Sequence, residues 1–119
     1  MNSFILHAVG NLARNPEGGK SAEGVSYTRF CLIGNDYAGK DEEGKPRELI
    51  TSIWFVAFGP MGEAIAAHAL KGDQLIVQAR VRSNNRQDAD GSTEYDHAFI
   101  VEGFRFGARG RGRTAPTPE

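Results

Sequence analysis

Leu49-Ile50-Thr51-Ser52-Ile53-Trp54-Phe55-Val56-Ala57-Phe58-Gly59 runs directly into Pro60-Met61-Gly62-Glu63-Ala64-Ile65-Ala66-Ala67-His68-Ala69-Leu70-Lys71-Gly72, and the change of period between the halves decides the fold. The first half reads as a strand that is apolar on both faces. Ile53, Phe55 and Ala57 share one side while Trp54, Val56 and Phe58 share the other, because alternate strand residues point in opposite directions. One side fills a core. The other needs a second layer, a neighbouring subunit or a ligand with flat faces, since a contiguous exposed aromatic patch marks an interaction site. In the second half Met61, Ile65, Ala69 and Leu70 fall near one helical stripe, with Pro60 at the start and Gly72 placed as the C′ cap, which predicts one short helix.

Outward from this stretch the chain reads mostly as β. Phe4 to Leu12 is a first strand, stopped by the turn formers of Asn15-Pro16-Glu17-Gly18-Gly19. Val25 to Gly34 is a second, in which Tyr27, Arg29 and Cys31 alternate with Thr28, Phe30 and Leu32; the face holding Phe30 and Leu32 is the core candidate. From Asn35 to Glu48 the composition turns polar, with Gly39, Gly44 and Pro46, which predicts a mobile binding loop whose one aromatic is Tyr37. Beyond the helix, Gln74 to Ser83 sets Leu75, Val77, Ala79 and Val81 against an outer face of Gln74, Ile76, Gln78, Arg80 and Arg82 that becomes basic. Asn84 to Ser92 is a polar hairpin loop and Tyr95 to Phe106 a last strand. Three strands, a helix and two strands are the layout of the OB-fold, a five-stranded Greek-key barrel whose strand faces and loops bind oligonucleotides or oligosaccharides. Residues 1–106 form that domain in this reading, and residues 107–119 form a flexible Arg/Gly/Pro tail unable to bury a core.

Composition limits the function classes. A chain of 119 residues makes one domain, and its formal net charge of −1 announces no polyanion partner. Distribution says more. Acids gather at Asp36, Asp41, Glu42, Glu43 and Glu48 and again at Asp88, Asp90, Glu94 and Asp96, both in turn-forming stretches. Bases concentrate at Arg80, Arg82 and Arg86 and at Arg105, Arg109, Arg111 and Arg113, leaving room for a local cationic path on a neutral protein. Cys31 stands alone, so no intrachain disulfide forms and a reduced cytoplasm is the default. No signal-type N-terminus and no membrane-length apolar run is visible.

Several short pieces share an order and spacing: Val9-Gly10-Asn11-Leu12 followed by Asn15-Pro16-Glu17, Phe58-Gly59 four residues before Glu63, and Leu70-Lys71-Gly72-Asp73. The strand Gln74 to Arg82 and Asp90-Gly91 ahead of the last strand complete the set. From about Asn2 to Phe104 the chain thereby resembles the bacterial single-stranded DNA-binding proteins. The resemblance implies an OB-fold, homodimers or homotetramers, and sequence-tolerant coating of single-stranded DNA during replication, recombination, repair or element transfer. It implies no cofactor, no metal and no membrane partner, in a cytoplasmic protein associated with the nucleoid or a mobile element.

Such a binder needs aromatic platforms, each worth ~1–3 kcal/mol per stacked base, alternating with cations along a groove. Trp54 and Phe58 supply platforms, with Tyr27 and the loop residue Tyr37 as further aromatics. Arg29, Lys71, Arg80, Arg82 and Arg86 supply cations whose contribution falls with salt. Arg86 stands where the family often carries a tryptophan, and Pro60 where a lysine is common. The family's acidic, hydrophobic-tipped C-terminus, which recruits replication and repair proteins, is replaced by an Arg-Gly repeat, so recruitment through such a tip is not expected.

Each residue also has a plainer reading. Trp54 and Phe58 suit a core or a subunit interface, Tyr27 a cross-strand packing pair, and Arg80 and Arg82 a solvated strand face. Two other functions therefore stay open: a primosome accessory OB-fold protein that bridges helicase-loading partners, and an oligomeric OB-like interaction module that binds no nucleic acid. Catalysis fits poorly. Asp88-Ala89-Asp90-Gly91 suggests a calcium loop, but that loop needs glycine at its sixth position and glutamate at its twelfth, where Thr93 and Phe99 stand. His7, His68 and His97 are scattered, and no phosphate loop, nucleophile elbow or zinc spacing occurs. The chain reads as a binder and not an enzyme.

Overall fold

The structure, a computed structural model, describes residues 2–94 and 96–110, leaving aside the side chains of Arg86 and Glu94. Its elements are β1 (Phe4–Leu12), β2 (Glu17–Lys20), β3 (Ser26–Lys40), β4 (Pro46–Phe58), α1 (Gly59–His68), β5 (Gln74–Ser83), β6 (Arg86–Gln87), β7 (Thr93–Glu94) and β8 (His97–Phe106). The main sheet runs β1-β5-β8-β4-β3-β2, and a second pairing of β1 with β3 closes five of these strands into a barrel. β4 meets β8 in parallel at Val56↔Ile100, whereas β1, β3, β5 and their other neighbours pair antiparallel. This is the OB-fold barrel.

The inward faces are the ones the alternation selects. Phe30, Phe55, Leu75 and Val77 are buried, with the Phe30 and Phe55 rings stacked at 5.5 Å between centroids and Phe99 tilted against Phe55 at 5.9 Å. Each such side chain contributes about 1.5–3 kcal/mol of apolar transfer. Closure depends on Gly10. β1 joins β3 only through Asn11↔Ile33 and Leu12↔Leu32, and a Cβ at residue 10 would sit 2.8 Å from the Ile33 carbonyl oxygen.

The helix plugs the barrel by placing Ile65, with the following Ala69, in the core. Gly59, at φ +64°, lets the strand turn straight into it. Thr28 Oγ1 then donates to the Gly62 carbonyl at 2.8 Å, fixing α1 on β3. The helix is shorter at its C-terminus than its stripe predicts. It stops at His68, Ala69 is extended, and Leu70 is exposed. Gly72 is not the cap. Its N–H goes to the Leu12 carbonyl at 2.8 Å while the Asp73 carboxylate takes the Leu70 N–H at 3.0 Å, so pairing with the end of β1 pulls the chain off the helical path.

Three polar segments behave differently from expectation. Asn35 to Glu48 is not a loop: β3 and β4 continue as a ribbon through Asn35↔Ile50, Tyr37↔Glu48 and Lys40↔Pro46. Its turn is short, with Asp41 Oδ1 accepting from the N–H groups of Glu43 and Lys45, both at 2.9 Å. The ribbon is solvated along most of its length, so its composition reports exposure and not lack of pairing. Glu17–Lys20, whose first three residues are read as part of a turn, pairs with β3 from Glu17↔Arg29 to Lys20↔Ser26, since backbone ladders need no apolar side chain. The third segment follows β8. Gly107, Ala108, Arg109 and Gly110, expected to belong to a flexible tail, are tied to the α1–β5 corner by five hydrogen bonds, among them Gly110 N–H to Asp73 Oδ1 at 2.7 Å and Arg109 Nη1 to the His68 carbonyl at 3.0 Å. The rest of that expectation, on residues 111–119, lies outside the described residues, as does Tyr95, the expected start of the last strand.

Candidate nucleic-acid interface

The outward face of β4 carries Trp54, Val56 and Phe58, because the inward positions Phe55 and Ala57 are locked in the core. Trp54 is 39% exposed and Phe58 43%. Four residues apart on one strand, the two rings stand roughly 13 Å from each other, far enough to take separate bases. Register then assembles the neighbours. β3 sets Tyr27 opposite Phe58, Arg29 opposite Val56 and Cys31 opposite Trp54. On the far side Ile100 of β8 aligns with Val56 and with Arg80 of β5, and Ala98 pairs with Arg82. A barrel wall of four strands therefore presents aromatic and cationic side chains in rows.

Within these rows Trp54 is the centre of charge as well as of area. The Arg29 guanidinium carbon lies 5.0 Å from its ring centroid and that of Arg14 lies 5.6 Å away, both within cation–π range. Arg14 has no place in the sequence expectations. It reaches Trp54 because the chain leaving β1 crosses β3, with the Ala13 N–H donating to the Cys31 carbonyl at 3.0 Å, and Cys31 is the cross-strand partner of Trp54. No strand period announces that crossing; Arg14 ahead of Asn15-Pro16 is the only signal.

The other expected residues separate into two groups. Tyr27 lies on the face, half-buried, with its ring against the backbone of Gly19, where a Cβ would come within 2.8 Å of it. Arg82 is exposed on the same wall. Arg80 is on the wall but engaged: its Nε lies 2.7 Å from Glu102 Oε1 in an ion pair. Lys71 sits off the β4 face on the α1–β5 turn, its N–H donating to Asn15 Oδ1 at 2.8 Å. Tyr37 is far along the β3–β4 ribbon and exposed. Arg86 is placed in β6, and its side chain lies outside the described residues.

The elements that carry no aromatic platform have their own exposure. β1 has β5 on one side but touches β3 only at its last residues, so Phe4 to Val9 form an open edge. Its outward residues Ile5 and Val9 are exposed, as is Ile76 opposite Val9, and a cleft of about 410 Å³ opens there between β1, β5 and β8. Among the described residues no group of His, Cys, Asp and Glu is arranged to hold a metal ion.

Comparison with known proteins agrees with the fold. The model of the Single-strand binding protein family matches residues 1–107. The Single-stranded DNA-binding protein of Clostridium perfringens (strain 13 / Type A) is 35% identical over 113 residues, covering 94% of this chain and 69% of that protein. Among solved structures, the small single-stranded DNA-binding protein from Streptomyces coelicolor superposes with a TM-score of 0.70 over 90% of this chain and 96% of its own, at 18% identity, a likeness of fold.

Proposed function

The chain belongs to the single-strand binding protein family, and from that premise we propose that it binds single-stranded DNA along the β4 wall, coating strands exposed in replication, recombination, repair or element transfer. The observation that carries the reading is Trp54, half-exposed on a barrel wall with two guanidinium groups over its ring. A base stacking on the indole gains ~1–3 kcal/mol, and the displaced or neighbouring guanidinium is then in place for the adjoining phosphate. Phe58 with Tyr27 makes the next platform. Arg82 and Arg29 extend the cationic path, and release of counterions makes the affinity salt-dependent. No step consumes nucleotide, so the protein acts as a stoichiometric binder and not as an enzyme.

Self-association belongs to the same proposal. An open strand edge flanked by exposed apolar residues is a liability that natural proteins cover, and a second copy covers it isologously through β1. β1 adjoins the wall where Ile5 pairs with Arg80, but β5 and β8 lie between it and β4, so association through β1 leaves Trp54 accessible. The setting we propose is the cytoplasm, at the nucleoid or on a mobile element.

Electrophoretic mobility of labelled oligo-dT, with and without an excess of duplex of the same length, tests the reading. A shift that single strands compete away and duplex does not is expected. No shift at low salt, or equal competition by duplex, would overturn it.

A further inference from the structure

The two cations over Trp54 are held in different ways. Arg29 lies inside β3, paired with Glu17 on one side and Val56 on the other, so two ladders fix the point from which its side chain reaches the indole. Arg14 has no ladder of its own. It stands exposed in the connection of residues 13–16 between β1 and β2, and still brings its guanidinium carbon to 5.6 Å from the ring centroid. A long side chain on a loose connection would not stay there, because holding it in one rotamer costs conformational entropy.

The connection is pinned on each side of Arg14. Before it, the Ala13 N–H donates to the carbonyl of Cys31, the strand partner of Trp54, at 3.0 Å. After it, Asn15 Oδ1 accepts the Lys71 N–H at 2.8 Å, and Pro16 disfavours helical backbone at Asn15 itself. The donor is rigid. The Lys71 turn is tied to β1 by the Gly72 N–H on the Leu12 carbonyl at 2.8 Å and by Asn11 Nδ2 on the Gly72 carbonyl at 3.0 Å. Those two bonds do not involve Asn15, whose side chain is exposed, so the corner keeps its shape without the Asn15 amide. What the amide adds is a fixed second end for the connection that carries Arg14.

We propose that Asn15 is a positioning residue for single-strand binding, which holds Arg14 over Trp54 from the α1–β5 corner before the strand arrives. The inference rests on the single-strand reading of the β4 wall and adds to it a residue that acts through Arg14. With the connection pinned at both ends, binding does not have to order the arginine, and less of the contact energy is spent on fixing it. Without the Asn15 amide the cation is still present and still reaches a phosphate, but it must be immobilised in the complex. Affinity then falls while the number of phosphates neutralised, and with it the salt slope, stays the same.

The test is a cycle of Asn15→Ala, Arg14→Ala and the double variant, with oligo-dT affinity read from the anisotropy of an end label across a salt series. Asn15→Ala alone should bind roughly two- to tenfold more weakly, the cost of immobilising one long side chain, with its salt slope unchanged. Added to Arg14→Ala, it should change nothing further. In the free protein, iodide is drawn to a local cation and acrylamide is not, so the ratio of their quenching of Trp54 emission should fall in Asn15→Ala as it does in Arg14→Ala. A loss of affinity that is equal with and without Arg14, or an unchanged quenching ratio, overturns the positioning role. So does full affinity in Asn15→Ala, and each of these leaves the wall standing. If Arg14→Ala binds like the unaltered protein, Arg14 leaves the wall and this proposal falls with it, while stacking on Trp54 survives. Failure of oligo-dT to bind at all removes the single-strand reading and this proposal together.

Discussion

At the scale of single residues, the Arg14–Trp54–Arg29 cluster concentrates stacking and charge at one point. Trp54→Ala removes a platform worth ~1–3 kcal/mol, so oligo-dT affinity measured by mobility shift falls by about 5- to 150-fold. Arg14→Ala acts on charge: withdrawing one cation from the phosphates of a single strand lowers the slope of log K against log salt by about 0.7, and binding measured across a salt series shows that smaller slope. Strand alternation made Trp54, Phe58, Tyr27, Arg29 and Arg82 legible, because the period of two reports which face a residue takes. It says nothing about what meets a residue on that face. Arg14 arrives from a chain crossing and Glu102 reaches Arg80 from β8, next to a register shift between β5 and β8, and neither relation is local in sequence.

At the scale of elements, the corner between α1 and β5 explains why some sequence pieces were recognisable although they lie off the β4 strand. Asn11 Nδ2 donates to the Gly72 carbonyl at 3.0 Å, the Leu12 N–H to the Asp73 carbonyl at 2.8 Å, and the Lys71 N–H to Asn15 Oδ1. Val9 to Glu17 and Leu70 to Asp73 are therefore two halves of one structural joint, with Gly107 to Gly110 strapped across it. Asp73 is 3% exposed and holds the N–H groups of Leu70 and Gly110 as well as facing Arg109 at 3.6 Å. Asp73→Ala leaves those donors unsatisfied and costs about 3 kcal/mol, lowering the melting temperature by roughly 10 °C; Asp73→Asn, which keeps an acceptor, recovers part of the loss. At the other closure, Gly10→Val drives a side chain into the Ile33 carbonyl, and calorimetry should show a loss of about 1–3 kcal/mol. The fold order was legible from the change of period at Phe58-Gly59. The ribbon, β2 and the strap were not, because their residues pair through backbone groups while their side chains stay in water or are glycine.

At the scale of the whole molecule, a formal charge of −1 conceals a division of labour. Acids occupy the tips of the ribbon and of the β6–β7 hairpin, while Arg14, Arg29 and Arg82 line the wall beneath them, so a neutral chain still offers a polyanion a cationic track. The apolar edge at β1 has β5 and β8 between it and Trp54. Val9→Arg places a charge on that edge, and native mass measurement should show the oligomer shifting towards a single chain, with the Trp54 wall unaltered. The central claim is that a single strand stacks on Trp54 in a cationic setting, and the emission of that one tryptophan reports it directly during titration with oligo-dT at several salt concentrations. Strong quenching that saturates, with an affinity that drops steeply as salt rises, is the predicted result; emission that stays unchanged at low salt while oligo-dT is in excess would contradict it.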